Sequence, residues 1–110
     1  MKIPELAFTT TVWDEVPTTI HPGESGEALW KTIEIGDVRI RMVVYSPNYL
    51  ADHWCDRGHI LLVLEGELIS ELRDGRVSRL KKGMSYQVSD FGDTAHRSST
   101  KTGAKLFIVD

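Results

Sequence analysis

Cysteine and histidine side chains are concentrated in one short stretch of the chain. His53, Cys55 and His59 lie within seven residues, and His96 is a fourth candidate further along. In an extended chain, residues two apart point to the same face, so His53, Cys55 and His59 share one parity. Imidazole and thiolate ligands suit zinc, iron, nickel or copper, whereas calcium and magnesium prefer oxygen ligands. The spacing therefore predicts a site for one divalent transition metal, whose identity these residues leave open.

The segments around these residues are typical of short β-strands. Residues 28–35 and 38–45 carry alternating side chains on either side of Gly36-Asp37, a hairpin turn signal. Residues 60–64 are apolar on both faces, which predicts a central strand. Further strands are predicted at residues 68–72, 77–80, 84–88 and 104–109, with a tight turn at 65–67 and others at 74–75 and 82–83. Residues 95–100 lead into a turn at 102–103. No segment shows a helical period, so the pattern predicts an all-β sandwich or small barrel.

The first quarter of the chain is less regular. Residues 8–13 have β-branched and aromatic character and are predicted to form an edge strand, and residues 21–24 are predicted to form a turn with a solvated His21. Further on, Arg39 and Arg41 alternate with apolar residues. We expect both arginines to face solvent, although inward-facing arginines would be able to bind a carboxylate substrate.

Length and composition narrow the class of protein. The chain has 110 residues, 41% of them hydrophobic and 26% charged, as expected for one globular domain. The net charge is −3 and no block of Lys and Arg stands out, so we expect no nucleic-acid partner. We expect no membrane span and no signal peptide, because the apolar runs are too short. A single cysteine cannot form an internal disulfide, which predicts a cytoplasmic protein.

Two stretches of the sequence resemble the two motifs of the cupin superfamily. The first cupin motif runs His-x-His, three or four residues, Glu, six residues, Gly; His53-x-Cys55, His59 and Gly66 keep that spacing. The second motif begins with Gly and reaches a His near an Asn; residues 83–100 supply Gly83, His96 and, at the Asn position, Thr100. In the first motif, Cys55 replaces the second His and His59 replaces the Glu. In the second motif, the interval from Gly83 to His96 is about two residues longer than usual, and residues 89–92 replace the usual Pro-x-Gly turn.

The resemblance implies a fold and a metal site. The fold is a single-domain all-β cupin, a double-stranded β-helix or jelly-roll barrel, spanning residues 1–110. Residues 27–110 would form the barrel and residues 1–26 an N-terminal arm or edge strand. The implied metal ligands are His53, Cys55, His59 and His96. Because a thiolate replaces the usual carboxylate, the site is softer than that of an ordinary cupin. Residues 52–55 look like the signature of small DHCW-motif cupins, and small cupins often form homodimers.

Other roles stay open for these residues. His59 would also serve as a base beside the metal, or hydrogen-bond an inward carboxylate such as Glu65. Cys55 would also serve as a small buried hydrophobe or a reactive thiol. Ser98 and Thr100 share the parity of His96, so both are candidates to line the same cavity. The remaining candidates for lining the pocket are Tyr45, Arg57 and Tyr86.

Three functions are compatible with these residues. The first is a small metal-binding cupin with a mononuclear site in the barrel, which binds or transforms a small molecule. The second is a non-catalytic module that binds a small ligand, or whose site is closed or empty. The third is thiol chemistry at Cys55. An open coordination position beside a pocket that reaches solvent favours the first function.

Overall fold

The computed structural model describes Ile3 and residues 5–110, and strands form nearly all of its regular structure. Residues 1, 2 and 4 of the predicted N-terminal arm lie outside the described residues. The strands are β1 (Thr18–Pro22), β2 (Glu27–Ile35), β3 (Val38–Tyr45), β4 (Tyr49–Leu50), β5 (His59–Leu72), β6 (Val77–Lys81), β7 (Ser85–Val88), β8 (His96–Thr100) and β9 (Ala104–Val109). A short 3-10 turn spans Trp13–Glu15. Within the described part of the chain, no helix has the length and apolar character to span a bilayer.

The nine strands pair antiparallel and curl into two layers. The path of neighbouring strands runs β1-β2-β3-β9-β5-β8-β4, and β6 and β7 also pair with β5. In the larger layer, the first half of β5 pairs with β9 and β7, and β9 continues to β3, β2 and β1. In the smaller layer, the second half of β5 pairs with β6 and β8, and β8 pairs with β4. The predicted all-β barrel-like fold is confirmed, and so is the central position of the strand that begins near residue 60.

One long strand joins the two layers. A turn was predicted at residues 65–67, and this prediction is wrong because β5 continues from His59 to Leu72. The chain bends there instead, at an irregularity between Val63 and Glu65. Gly66 has φ +79°, and a Cβ at this position would overlap the carbonyl oxygen of Gly103. The glycine is therefore explained by a bend and a close backbone approach.

The two faces of the larger layer differ in what they cover. Across β3, β9, β5 and β7, Arg41 lies in register with Ile108, Leu61 and Tyr86 on the inner face. Arg41 is only 5% exposed. The prediction of a solvated Arg41 is wrong, because the inner face contains a carboxylate that pairs with it. The alternate residues of β3 and β5 form the outer face, where several apolar side chains remain exposed.

A compact apolar core holds the layers together below the site. Its largest fully buried side chains are Val43, Leu61, Val63, Leu68 and Leu106. Burying an aliphatic side chain of this size stabilises the fold by about 1.5–3 kcal/mol relative to exposure. Three strands, β3, β5 and β9, contribute these residues, so the core fixes strands that carry the polar site above it.

The N-terminal predictions are partly wrong. Residues 8–12 have no regular structure, and the 3-10 turn begins at Trp13, so the predicted edge strand at 8–13 is absent. His21 lies in β1, where it pairs with Ala28 of β2 and stacks on the indole of Trp30 at 3.7 Å between ring centroids. The edge strand of the sheet therefore lies about ten residues later than predicted, because pairing with β2 outweighs the local turn preference of Pro22.

Replacing Gly66 by Ala should destabilise the protein more than the same change at Gly83. Both glycines have positive φ, +79° and +88°, but a Cβ at Gly83 meets nothing within 4 Å. Backbone strain alone costs about 1–3 kcal/mol in either variant. The overlap with Gly103 adds to this cost in Gly66→Ala only. Urea unfolding of both variants measures the difference, and equal losses of stability would show that the close approach is unimportant.

Candidate metal centre and cavity

Three of the four predicted metal ligands converge on one point inside the barrel. Cys55, His59 and His96 each offer one ligand atom, and these atoms all lie within 4.8 Å of one another. Nε2 of His59 is 2.9 Å from Nε2 of His96 and 3.9 Å from Sγ of Cys55. His96 is buried, His59 nearly so, and Cys55 half-buried. The arrangement places one thiol and two imidazoles around a shared space.

Backbone pairing sets the position of Cys55. Its N–H donates to the carbonyl oxygen of His96 at 2.8 Å, and the N–H of His96 donates back to its carbonyl at 3.0 Å. Four residues earlier, the N–H of Ala51 donates to the carbonyl of Ser98 at 3.0 Å. Ala51 and Cys55 are four residues apart, whereas their partners Ser98 and His96 in β8 are two apart. The two extra residues bulge outward.

That bulge explains where His53 lies. The side chain of His53 is 71% exposed, and its Nδ1 is 2.7 Å from Oδ1 of Asp52. It stands at the rim of the cavity and outside the group of three converging ligands. The shared parity of His53 and Cys55 holds only for a regular extended chain, and residues 52–53 bend instead.

Asp110 orients the second of these three residues, His59. Its Oδ2 lies 3.0 Å from Nδ1 of His59, and its side chain is fully buried. A carboxylate at this distance requires the Nδ1–H tautomer, so neutral His59 directs the lone pair of Nε2 towards Cys55 and His96. The predicted alternative, a hydrogen bond from His59 to an inward carboxylate, therefore exists with Asp110 as the partner, whereas Glu65 is exposed.

Arginines surround the same carboxylate. Arg39 binds Asp110 with two hydrogen bonds, of 3.1 and 3.0 Å, and Nη2 of Arg41 donates a third of 2.8 Å. Nε of Arg57 lies 3.6 Å from the same oxygen. Burial alone would raise the pKa of Asp110, but the hydrogen bonds from His59 and Arg39 and the charge of Arg41 outweigh it and hold the pKa well below its usual range.

Sequence reasoning missed Asp110 and misplaced the arginines, although a signal existed. Ala104, Leu106 and Ile108 are the buried residues of β9, and Asp110 continues their parity. Arg39 and Arg41 likewise share the parity of Tyr45, which was predicted to line the pocket. Polar residues that continue an inward-facing parity were thus the available clue to the charged part of the site.

The imidazoles also act on the thiol of Cys55. Hydrogen bonds from His59 and then His96 lower its pKa to about 5, against a smaller opposing effect of burial. Burial lowers the pKa of His59, but hydrogen bonds to Asp110 and Cys55 outweigh it, so the pKa of His59 is raised. Without a metal, the geometry therefore favours a thiolate at Cys55 beside an imidazole that holds its proton more tightly than usual.

The three ligands border a cavity of about 110 Å³. Among the predicted pocket residues, Tyr45, Tyr86 and Ser98 line it, together with Trp30, which sequence reasoning missed. Arg57 lines a neighbouring open depression that His59 also borders. Thr100 borders neither the cavity nor the depression. Its buried hydroxyl donates instead to the carbonyl oxygen of Glu67 at 2.7 Å.

The donor set fits a transition metal. In a tetrahedral zinc site, neighbouring sulfur and nitrogen ligand atoms are about 3.3–3.6 Å apart. The observed N–N separation of 2.9 Å is slightly shorter than this range, and the S–N separation of 3.9 Å is slightly longer. One thiolate and two neutral imidazoles would supply three ligand atoms. The carboxylate of Asp110 is not a ligand but fixes the tautomer of His59. Cys55, His59 and His96 could therefore hold a metal ion.

Comparison with solved structures identifies the fold. An RmlC-like cupin from Shewanella frigidimarina superposes with a TM-score of 0.73 at 14% identity, covering 94% of this chain and 89% of that one. The polyketide cyclase RemF from Streptomyces resistomycificus gives 0.74 at 19%, covering 94% and 78%. Fe(II)-HppE gives 0.72 at 17%, covering 94% and 60%. No protein-family model matches the sequence, and no curated protein matches it significantly.

The chain therefore has the cupin fold, as the resemblance implied. Its structural neighbours include enzymes, and its own Cys-His-His group has the donors for a metal site. The narrower assignment of residues 52–55 to the DHCW motif stays a prediction, because the names of these proteins say nothing about that motif.

Replacing Asp110 by Asn should destabilise the protein strongly. The change leaves Arg41 buried without its charge partner, which costs about 3–5 kcal/mol for buried pairs. Because folding lowers the pKa of Asp110, its contribution is complete at neutral pH and is lost as the pH falls below about 4, the unfolded value. The stability difference between the variant and the unaltered protein should therefore shrink in acid.

The matched control is Asp74→Asn. Asp74 also pairs with an arginine, Arg76, but both side chains are about half exposed. Exposed pairs contribute little, so this variant should unfold almost like the unaltered protein. Urea unfolding at several pH values makes the comparison. A similar loss in both variants would show that Asp110 acts as an ordinary surface partner.

Proposed function

We propose that the protein is a cupin with one mononuclear metal site, which binds or transforms a small molecule. The observation that carries the proposal is the convergence of Sγ of Cys55 and the Nε2 atoms of His59 and His96. The orientation of His59 by buried Asp110 supports it, because ligating histidines usually donate their other ring nitrogen to a carboxylate.

Three protein ligands would leave at least one coordination position for water or a small molecule. A bound metal would supply a Lewis acid at the base of the cavity. A single thiolate with two imidazoles suits zinc, ferrous iron, nickel or copper. One structural neighbour, HppE, is named as an Fe(II) protein, which keeps iron among the candidates for this chain.

The cavity wall offers groups that would orient a bound molecule. Burial raises the pKa values of Tyr45 and Tyr86, so both phenols stay protonated and able to donate hydrogen bonds. The ring of Tyr86 also lies edge-on to the imidazoles of His59 and His96, at centroid distances of 6.4 and 6.1 Å. These contacts would hold the ligand imidazoles in place while the phenols contact the bound molecule.

A non-catalytic module is the alternative function. In that case the same cavity would bind a small ligand without transforming it, or His53 would swing inward as a fourth ligand and close the site. The exposure of His53 favours the open site, because its imidazole is paired with Asp52 at the rim. A lone, half-buried thiol in the site also suits a reducing compartment, and we propose a cytoplasmic location.

Protein purified without chelator should contain close to one transition-metal ion per chain. Cys55→Ala and His96→Ala should each remove most of that metal, because each deletes a ligand atom. Asp110→Asn should weaken metal affinity by about 10–100-fold, because it releases the orientation of His59. Elemental analysis and competition with a chelator of known affinity measure these changes.

His21→Ala and His53→Ala are the histidine controls. His21 stacks on Trp30 away from the ligand atoms, so its loss should leave metal content unchanged. Full metal content in His53→Ala would support a three-ligand site, and a large loss would support a closed four-ligand site. If the unaltered protein carries no metal and takes up none of zinc, ferrous iron, nickel or copper, the metal-site proposal is wrong.

We also propose that the protein forms a homodimer through the outer face of its larger layer. On that face Leu62 lies in register with Phe107, and Phe107 with Met42. Val44 and Ile60 are still 41% and 48% exposed. Monomeric proteins rarely expose a contiguous apolar patch of this kind, and a second copy would cover it symmetrically.

Two lysines on this face should dissociate the dimer. Val44→Lys with Leu62→Lys adds two charges to this face, so sedimentation analysis should show mainly monomer at concentrations where the unaltered protein is dimeric. The control is Val77→Lys, since Val77 is 54% exposed on β6 of the other layer. A monomeric unaltered protein, or dissociation by the control change, would contradict the assignment.

A further inference from the structure

The charges around the cavity do not balance. Arg39 and Arg41 both line it, and among the described residues no aspartate or glutamate does. The nearest carboxylate, Asp110, is shared by Arg39, Arg41 and Arg57. Of these three arginines, Arg41 is the buried one, its side chain 6% exposed against 24% for Arg39 and 43% for Arg57.

Arg41 is the buried arginine of the three, and its hydrogen bonding is incomplete. It is only 5% exposed, and the described residues give it a single hydrogen bond, from Nη2 to Asp110. Its Nε is buried and has no partner among them. A guanidinium carries five N–H donors, so most of its capacity is unused. An unsatisfied buried donor is costly, which favours an acceptor close to the guanidinium of Arg41.

The rest of the cavity favours an organic molecule. Apolar and aromatic side chains form much of the wall, among them Trp30, Leu61, Tyr86 and Ile108. Its volume of about 110 Å³ leaves room for several water molecules or a small organic group. A longer molecule would place one end there and reach out past His53.

We propose that the cavity binds the carboxylate group of a small organic acid, with Arg41 as the principal binding residue. This inference deepens the proposed function, because it names the ligand class of the same site. The carboxylate would accept hydrogen bonds from the free donors of Arg41 in the planar geometry that guanidinium groups favour. Arg39 adds charge, and the apolar wall contacts the carbon chain. The far end of the acid would then lie beside Cys55, His59 and His96.

Inorganic phosphate shares the oxyanion chemistry that arginines recognise. It lacks a carbon skeleton, however, and would leave the apolar part of the wall without contacts. A carboxylic acid uses both parts of the cavity, so we expect the site to prefer it over phosphate. Competition between the two anions separates them.

Propionate is the probe, and propionamide is its uncharged counterpart of nearly the same shape. In metal-free, ¹⁵N-labelled protein at low chloride, propionate should shift one arginine Nε–H resonance saturably, and this resonance should be missing in Arg41→Lys. Propionamide should bind at least 10-fold more weakly, and phosphate should not displace propionate at equal concentration. Arg41→Lys should weaken propionate binding at least 10-fold, because a lysine loses the planar set of donors.

Arg97→Lys is the matched control. Arg97 also has a buried Nε without a partner in the described chain, but it lies over Trp54 outside the cavity. Its replacement should change propionate binding less than twofold. If Arg41→Lys does not fold, the resonance shift and the propionamide comparison in the unaltered protein still decide the question.

Three results would overturn the inference: no saturable shift of an arginine resonance, equal affinity for propionamide, or displacement by phosphate at lower concentration. Titrating a transition metal into the same metal-free protein and measuring its uptake keeps the two proposals apart. Propionate binding without metal uptake would reject the metal site and leave the carboxylate site intact. Metal uptake without propionate binding would reject the carboxylate site and leave the metal site intact.

Discussion

The buried carboxylate of Asp110 is the interaction on which the site depends. It accepts hydrogen bonds from His59, Arg39 and Arg41, which come from two different strands. A charge without solvent needs such partners, and its own field in turn makes the inward position of two arginines tolerable. The same contact fixes the tautomer of His59. The orientation of a ligand and the charge of the cavity therefore have one physical origin.

The second requirement is that distant parts of the chain meet at one end of the barrel. His59 begins β5 and His96 begins β8, while Cys55 lies in an irregular segment. A pair of backbone hydrogen bonds couples Cys55 to His96 directly. Because Gly66 allows β5 to bend, this strand serves both layers, and its first residue reaches the site. Few side-chain contacts are needed to assemble the three ligands, since the strand pairing already brings them together.

The cavity combines two kinds of chemistry that rarely occur side by side. One part offers a thiolate and two imidazoles, which attract a metal cation or a proton. Another part offers arginines, which attract an anion. Asp110 lies between the two and contacts both, through His59 on one side and the arginines on the other. A molecule with a carboxylate at one end would be held by the second part and present its other end to the first.

The sequence alone predicted the strand pattern and most hairpin turns, because alternation and turn signals are local properties of the chain. The resemblance to cupins added His96 to Cys55 and His59, and these three residues do converge. The sequence also indicated Tyr45, Tyr86 and Ser98 as cavity residues. The tertiary structure decided the rest. His53 leaves the group because residues 52–53 bulge away from β8, and Gly66 bends a strand where a turn was expected. Arg41 is buried because Asp110, 69 residues away in sequence, compensates its charge. Such contacts depend on which strands become neighbours, and no local pattern records that.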